Sequence, residues 1–264
     1  MTLKGIEPYT IKTYHTDRFG KASPATFAAF FEEATSNNVR LHGFHFDHML
    51  PHNVAWVLSR LTINVDHYPE TGDTVTIHTW PSAHAPSVAT RCFEVYDSRK
   101  NIIAEATASW LVIDLKKRRL IPLPDYVTDI YPKKNPPCKE FPTRVVPRLR
   151  EAQYEVPTLS RKADIDMNGH VNNVQYFGWI EESVPEKFLM AYEPALIDVS
   201  FRQECGPHQE LLSKSAMRDD GDYLHSVVHK ESGKELCRAR TEWRKRKPMN
   251  FPYTKTIYNL VNDL

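Results

Sequence analysis

The feature that most constrains this chain of 264 residues is an internal repeat. Asp17 and Phe27 recur 149 residues later as Asp166 and Tyr176, and the acidic pair at 32–33 recurs at 181–182. Beyond this region the apolar alternation at 61–65 recurs at 197–201, an offset of 136, so the first copy holds 13 extra residues, LHGFHFDHMLPHN. Self-similarity of this kind predicts one structural unit used twice.

Each copy shows a helix followed by an antiparallel meander. Ser23 and Pro24 predict an N-cap and a first helical position, and Gly43 predicts the end of that helix. The pair Asn172-Asn173 predicts the start of a second helix through VQYFGWIEES. The predicted strands cover residues 60–66, 75–80, 87–96, 102–114, 195–203, 210–217, 223–230 and 235–244. Since an amphipathic helix buries its apolar stripe on a sheet, we predict an α+β fold in which a curved antiparallel sheet wraps one long helix per domain.

A basic, proline-rich segment separates the two copies. Residues 115–150 hold seven of the 19 prolines, no glycine, and ten Lys or Arg against three Asp or Glu. Proline at this density stops helices and central strands, which indicates an extended linker. We therefore predict an N-terminal domain at 1–128, a linker at 129–150 and a C-terminal domain at 151–264.

Composition excludes several classes of protein. With 34 basic and 33 acidic residues the formal net charge is +1, too small for nucleic-acid binding by bulk charge. No run approaches the ~20 apolar residues of a membrane span, and the first 20 residues lack the apolar core of a secretory signal. The four cysteines lie far apart, so we expect no disulfide framework and a reducing, cytoplasmic location.

The densest polar chemistry lies just before the second helix. Asp166, Asn168 and His170 alternate there, and an extended segment would point all three to one side. Histidine exchanges protons near neutral pH, an aspartate can act as base or nucleophile, and helix-start amides can stabilise an oxyanion. The alternative is a capping loop with a solvated histidine. Because Phe19 and Lys21 replace Asn168 and His170 in the first copy, we favour a functional site.

RQECG, at the end of a predicted strand, supplies a second candidate. Glu204 could activate a water molecule, and Cys205 could act as a nucleophile if a nearby cation lowered its pKa. The alternative is a surface glutamate beside an inert buried thiol. For Cys205 alone we favour that alternative, because free cysteines are among the most buried residues.

Two further clusters carry weaker predictions. Four histidines, His42, His45, His48 and His52, have spacings that zinc sites use, but Gly43 and Pro51 break any helix there. We therefore predict no metal site and a polar loop over a pocket mouth. Two basic runs offer docking surfaces for an acidic partner, with a solvated surface as the alternative. They are Lys116, Lys117, Arg118 and Arg119 at the start of the basic, proline-rich segment, and residues 244–247 near the C-terminus.

The segments DMNGHVNNVQYFGWIEES and FRQECG, together with WVLSRLTINVDHYPETGDTVTIHTWP, resemble the acyl-ACP thioesterases over about residues 8–247. The resemblance implies two tandem hotdog domains that hydrolyse acyl-acyl-carrier-protein to free fatty acid, without a cofactor. It implies catalytic roles for Asp166, Asn168, His170 and Glu204, with Cys205 as a neighbour once favoured as nucleophile.

The same resemblance implies two partners, an acyl carrier protein and a fatty acyl chain. The carrier would dock on Lys116–Arg119, and the acyl pocket would be formed by Phe27, Phe30 and Phe31. Plastid members carry an N-terminal targeting extension that this sequence lacks, so we expect the bacterial, cytoplasmic type. An acyl-CoA thioesterase, a non-catalytic acyl-binding protein and a hotdog dehydratase remain alternatives, and chain length and a homodimer stay open.

Overall fold

The structure, a computed structural model, describes residues 3–129 and 137–247. These residues form five α-helices: α1 (Pro24–Leu41), α2 (Phe46–Met49), α3 (Asp125–Thr128), α4 (Gln175–Glu182) and α5 (Glu186–Ala191). They also form eleven strands: β1 (Gly5–Thr10), β2 (Val54–Val65), β3 (Thr74–Ala85), β4 (Val88–Tyr96), β5 (Ile102–Asp114), β6 (Arg119–Ile121), β7 (Tyr154–Leu159), β8 (Tyr192–Phe201), β9 (Glu210–Met217), β10 (Tyr223–His229) and β11 (Glu235–Lys245). In this part of the chain no helix is both long and apolar enough to cross a membrane.

The strands form one antiparallel sheet in the order β1-β3-β4-β5-β2-β8-β11-β10-β9-β7, with β6 paired to β5. The two copies join where β2 pairs with β8, with Leu61 opposite Val199 and Ile63 opposite Ile197. Because Ile197 is the repeat equivalent of Leu61, and Val199 of Ile63, an approximate two-fold axis passes through this junction. Helices α1 and α4 contact each other, and one hydrophobic core spans both copies.

The outermost strands were not predicted, although they follow the repeat. Strand β7 lies 149 residues after β1, and the 3₁₀ turns at Thr13–His15 and Lys162–Asp164 keep the same offset. Each edge strand contains a proline at the equivalent place, Pro8 and Pro157. Proline cannot donate to a central ladder, but an edge strand tolerates it.

Helix α1 has the predicted boundaries. The Ser23 hydroxyl accepts a hydrogen bond from the Thr26 amide at 3.2 Å, and Pro24 occupies the first turn. Just after the helix Gly43 takes a φ of +77°, a conformation that favours glycine. Phe27 and Phe31 are fully buried against the sheet, so the apolar face of the helix supplies the centre of the first domain's core.

The prediction of one long helix in each domain is wrong for the second copy. Helix α4 has only eight residues, and the chain turns at Ser183 before α5 begins. Pro185 explains the break, because it lacks the N–H that a continuing helix needs and its ring clashes with the preceding turn. The second domain therefore presents a short helix to the core.

The segment predicted as an extended linker is partly structured. Strand β6 pairs with the end of β5, and α3 follows it. Arg60 holds the later part, because its guanidinium donates to the carbonyls of Thr143 and Arg144 at 2.9 and 3.2 Å. Residues 130–136, with Lys133 and Lys134 of the predicted basic segment, lie outside the described residues.

The expectation of no disulfide is also wrong. Cys92 in β4 is bonded to Cys138 in the linker, 46 residues away. The chain after residue 136 lies along the sheet, where the Thr107 hydroxyl donates to the Lys139 carbonyl at 2.6 Å. This tertiary packing places the two Cα atoms 5.0 Å apart, a proximity that cysteine spacing alone does not reveal.

Candidate active site

The chain brings His170 and Glu204 together from two separate segments. His170 precedes α4 and Glu204 follows β8, and a hydrogen bond from the Val171 amide to the Cys205 carbonyl at 2.8 Å joins the segments. Nε2 of His170 lies 3.3 Å from Oε2 of Glu204. The side chains are 41% and 44% exposed, so this carboxylate–imidazole pair is open to a substrate.

The segment carrying Asp166 and Asn168 is a tight turn, so the expected extended conformation is wrong. The Asp166 amide donates to the His170 carbonyl at 2.8 Å, and Gly169 has a φ of +81°. Within the turn, Asp166 Oδ1 accepts from the Asn168 amide at 2.8 Å and Oδ2 from the Asn168 side chain at 3.2 Å. The four predicted polar residues thus form two contacting pairs, linked through the backbone of one turn.

The first copy repeats this turn with Phe19 and Lys21 in place of Asn168 and His170. Asp17 Oδ1 accepts from the Phe19 amide at 2.8 Å, and the Asp17 amide donates to the Lys21 carbonyl at 2.8 Å. An aspartate at this position therefore organises the turn in both copies. What is specific to the second copy is Asn168 and His170.

The first-copy turn is closed by ion pairs. Lys21 is buried, and its ammonium lies 3.3 Å from Glu193. The Arg246 guanidinium lies 3.6 Å from both Asp17 and Glu193, and it stacks 3.8 Å above the ring of Phe19. The basic run at 244–247, predicted as a docking surface, thus contributes Arg246 to this internal cluster.

Arg118 contributes to the site in a way that the sequence did not indicate. Its guanidinium Nη2 lies 3.0 Å from Oε2 of Glu204, the oxygen that also faces His170. Arg118 sits in the basic turn between β5 and β6, and all four residues Lys116–Arg119 are exposed. The predicted docking patch therefore borders the candidate catalytic pair. In the sequence, only the run of four basic residues pointed to this patch.

Glu32 is a second residue that the sequence did not assign to the site. It projects from α1 of the first domain, and both its carboxylate oxygens lie 3.2 Å from the Asn172 side-chain nitrogen. Asn172 Oδ1 in turn accepts from the Val174 amide at 2.7 Å, at the start of α4. Desolvation and the nearby charge of Asp166 raise the pKa of Glu32, although an H-bond from Asn172 opposes the shift. Glu32 thus ties the first domain to the start of α4.

Cys205 packs in the core and does not face the His170–Glu204 pair. The residue is 1% exposed, and its thiol contacts the Gly206 carbonyl and the Gln209 side chain at 3.4 and 3.3 Å. Burial raises the pKa of the thiol, which keeps it protonated. A buried thiol of this kind is a poor nucleophile.

Phe27, Phe30 and Phe31 fill the core of the first domain. The ring centroids of Phe31 and Phe93 lie 4.5 Å apart, and those of Phe30 and Tyr9 also lie 4.5 Å apart. A largely apolar cleft lies instead between the start of α1 and α4. It is lined by Pro24, Phe177, Ile180, Glu181, Pro194, Ile197, Thr241 and Trp243.

The extra segment of the first copy forms α2 and a 3₁₀ turn. Its histidines do not converge: His45 contacts Asp47 and Arg40 at 2.8 and 3.0 Å, and in residues 3–129 and 137–247 no group of three potential ligands is arranged to hold a metal. Met49 anchors the segment, because it is fully buried with Val54 in a small apolar cluster. This segment packs as a structural cover on the first domain.

Two family models together match most of the chain. The acyl-ACP thioesterase N-terminal domain matches residues 4–131, and the acyl-ACP thioesterase C-terminal domain matches 149–245. The palmitoyl-acyl carrier protein thioesterase, chloroplastic, of Cuphea hookeriana is 31% identical over 253 residues, 89% of this chain and 61% of that protein. The oleoyl-acyl carrier protein thioesterase 2, chloroplastic, of Arabidopsis thaliana is 29% identical, over 91% of this chain and 76% of that protein.

A solved structure extends the likeness to the fold. The 12:0-ACP thioesterase from Umbellularia californica superposes with a TM-score of 0.84 at 27% identity, covering 93% of this chain and 99% of that one. The predicted tandem hotdog fold is thereby confirmed. The chain spans about three fifths of the length of the Cuphea hookeriana protein. The chloroplast location of the two plant relatives is a property of those proteins, and a cytoplasmic location here stays a prediction.

Proposed function

Because this chain belongs to the acyl-ACP thioesterase family, we propose that it hydrolyses the thioester of acyl-acyl-carrier-protein and releases a free fatty acid. The observation that carries the proposal is the pair of His170 and Glu204, 3.3 Å apart beside the Asp166–Asn168 turn. The first copy retains the turn and the fold but has no such pair at the equivalent place. A non-catalytic acyl-binding protein would have no need of this asymmetry.

In the reaction we propose, the His170–Glu204 pair takes a proton from a water molecule. The resulting hydroxide attacks the thioester carbonyl carbon, and the tetrahedral intermediate then breaks its carbon–sulfur bond. The leaving thiolate of the carrier arm takes up the proton. The Asn168 side-chain nitrogen donates one N–H to Asp166. We assign its second N–H the role of donating to the carbonyl oxygen, where negative charge develops, because such a donor accelerates acyl transfer.

Asp166 offers a competing route through a covalent acyl-aspartate. In the free protein both its oxygens accept hydrogen bonds from Asn168, so its carboxylate is held within the turn. We therefore assign Asp166 to positioning Asn168 and the substrate carbonyl. Recovery of an acylated Asp166 after rapid quenching, by mass spectrometry or hydroxylamine trapping, would replace this water route with the covalent one.

We propose the basic turn Lys116–Arg119 as the dock for the carrier. Its four exposed cations border the catalytic pair through Arg118, and carrier proteins of this kind are acidic. We propose the cleft between α1 and α4 for the acyl chain, in place of a pocket formed by the packed Phe27, Phe30 and Phe31. Its lining is largely apolar, and because the cleft has only about 20 Å³ of free volume, an acyl chain would widen it on binding.

Product analysis tests the proposal directly. The purified protein is incubated with acyl carriers of increasing chain length, and the fatty acids released are identified by mass spectrometry. The matched acyl-CoA series separates the carrier substrate from the CoA alternative. We expect release from the carrier series at a higher kcat/KM, whereas the absence of release from every thioester would overturn the proposal.

A further inference from the structure

One carboxylate oxygen of Glu204 contacts two side chains, the guanidinium of Arg118 and the imidazole of His170. Oε2 of Glu204 lies 3.0 Å from Nη2 of Arg118 and 3.3 Å from Nε2 of His170. A guanidinium stays charged at all working pH values and makes the stronger, charge-assisted contact. While the Arg118 guanidinium is hydrogen-bonded to this oxygen, Glu204 is less able to accept a hydrogen bond from His170.

The backbone of Arg118 is fixed while its side chain extends into solvent. Asp114 Oδ1 accepts hydrogen bonds from the amides of Lys116 and Lys117 at 3.0 and 2.9 Å, which shapes the turn. Arg118 itself has a φ of +47°, and its side chain is 78% exposed. The guanidinium therefore rests on Glu204 at the end of a long, solvated side chain.

An exposed ion pair of this kind is weak. Such pairs stabilise by about 0–1 kcal/mol, so a second anion at the same place displaces the first readily. A docked partner with surface carboxylates would supply that anion, because the whole turn is cationic. The docking turn and the catalytic carboxylate thus form one connected unit.

We infer that Arg118 is a positioning residue that couples docking of the acidic carrier protein to the reaction, an inference that rests on the proposed function. Without a carrier, Arg118 holds Glu204 and restrains the site. When the carrier docks, its carboxylates bind the Arg118 guanidinium, and Glu204 pairs with His170 alone. The coupling favours thioesters on a carrier over small thioesters that bring no carboxylate surface.

The test compares two thioesters of the same acyl chain, one on the carrier and one on N-acetylcysteamine. With the small thioester, Arg118→Ala is expected to raise kcat about two- to fivefold, the range that an exposed ion pair supplies. With the carrier substrate, it is expected to raise KM while kcat stays near wild type. Arg118→Lys, which keeps the charge without the planar fork, is expected to show a smaller rise.

Carrier protein without its prosthetic arm gives an independent readout. Added to the wild type, it is expected to raise kcat on the small thioester by the same two- to fivefold, because its carboxylates bind Arg118 while its missing arm leaves the site open. Arg118→Ala is expected to show no such stimulation. Lys116→Ala is expected to raise KM for the carrier substrate, because it removes one cation of the docking turn.

Arg218→Ala is the matched control. It removes an arginine whose exposed ion pair with Asp220, at 3.1 Å, lies in the turn between β9 and β10. We expect it to leave both substrates at wild-type values. An active wild type in which Arg118→Ala leaves kcat on the small thioester unchanged or lowered would overturn the coupling while the proposed function stands. A wild type inactive on every thioester would overturn both.

Discussion

Nε2 of His170 lies 3.3 Å from Oε2 of Glu204, although the two residues belong to different elements. The turn before α4 supplies the imidazole, and the chain leaving β8 supplies the carboxylate. The backbone bond from Val171 to Cys205 fixes the separation of the two segments. The pair is therefore a product of the second domain's fold, and its chemistry can be tested by single substitutions.

Glu204→Gln is expected to lower kcat on the carrier thioester by about 10²–10⁴-fold, the usual contribution of a positioned general base. The amide keeps the size of the side chain but cannot accept the proton. Steady-state kinetics give kcat and KM separately, and we expect KM to change little. Glu155→Gln, at an exposed glutamate paired with Lys214 on the far edge of the sheet, is the control. A kcat near wild type for Glu204→Gln would remove this residue from the mechanism.

Because the turn occurs in both copies, the same substitution can be made at two equivalent positions. Asp166→Asn keeps an oxygen for the Asn168 amide but removes the charge, and we expect kcat to fall at least about 100-fold, as for loss of a preorganised catalytic group. Asp17→Asn makes the identical change in the first copy. We expect its kcat to stay within about twofold of wild type, with a loss of stability because Asp17 pairs with the largely buried Arg246. Equal losses of kcat in both variants would indicate that the turn acts only structurally.

Local signals predicted most of the fold. The Ser23-Pro24 cap and the apolar spacing placed α1, and β5 and β9 begin and end at the predicted residues. The edge strands were missed because Pro8 and Pro157 argue against a strand, and only the place of each strand in the sheet removes that objection. The helix predicted through residues 174–183 corresponds closely to α4, and only the expectation of a long helix failed there, because Pro185 stops the helical run.

The candidate site was predicted less completely, because its contacts are not local. Two motifs predicted residues of the site, one giving Asp166, Asn168 and His170 and the other Glu204, and the family resemblance added their catalytic roles. Arg118 approaches Glu204 across 86 residues of sequence, and Glu32 approaches Asn172 across 140. No spacing rule connects residues so far apart, since the sheet pairing and the α1–α4 contact bring them together.

The disulfide between Cys92 and Cys138 is expected to stabilise the folded protein. A cross-link closing a loop of this length contributes about 2–4 kcal/mol, chiefly by restricting the unfolded chain. Reduction is therefore expected to lower the melting temperature by about 5–15 °C, measured by calorimetry. Cys138→Ser is expected to have the melting temperature of the wild type after reduction, and added reductant should not change it. Four titratable thiols in the denatured, non-reduced protein would show that the bond is absent.

Arg60 and Asp198 form a buried, two-pronged ion pair at the junction of the two copies. Nε and Nη2 of Arg60 lie 2.8 and 2.6 Å from the two carboxylate oxygens, and Asp198 has no exposed surface. Arg60→Ala leaves that carboxylate buried without its cation, so we expect a loss of about 3–5 kcal/mol in the free energy of unfolding by urea. Arg218→Ala, which removes an exposed ion pair, is expected to lose less than about 1 kcal/mol. Similar losses in both variants would contradict the role assigned to the junction.

The burial of His225 leads us to expect that the folded protein loses stability in mild acid. The ring is fully buried, with Nε2 2.8 Å from the Thr241 hydroxyl, and desolvation lowers its pKa to about 3. In the unfolded chain a histidine titrates near its ordinary value of about 6.5. Between these two pH values the unfolded chain binds a proton that the folded protein excludes, so stability falls as the pH falls, by up to about 1.4 kcal/mol per pH unit.

The variant His225→Gln isolates this contribution, because it replaces the ring with a side chain that does not titrate. It is expected to be less stable than the wild type at pH 7.5, from imperfect packing, yet to lose less stability between pH 6.5 and 4.5. Carboxylates titrate in both proteins and cancel in the difference between the two curves of unfolding free energy against pH. A curve for His225→Gln that runs parallel to the wild type would show that the acid sensitivity arises elsewhere in the chain.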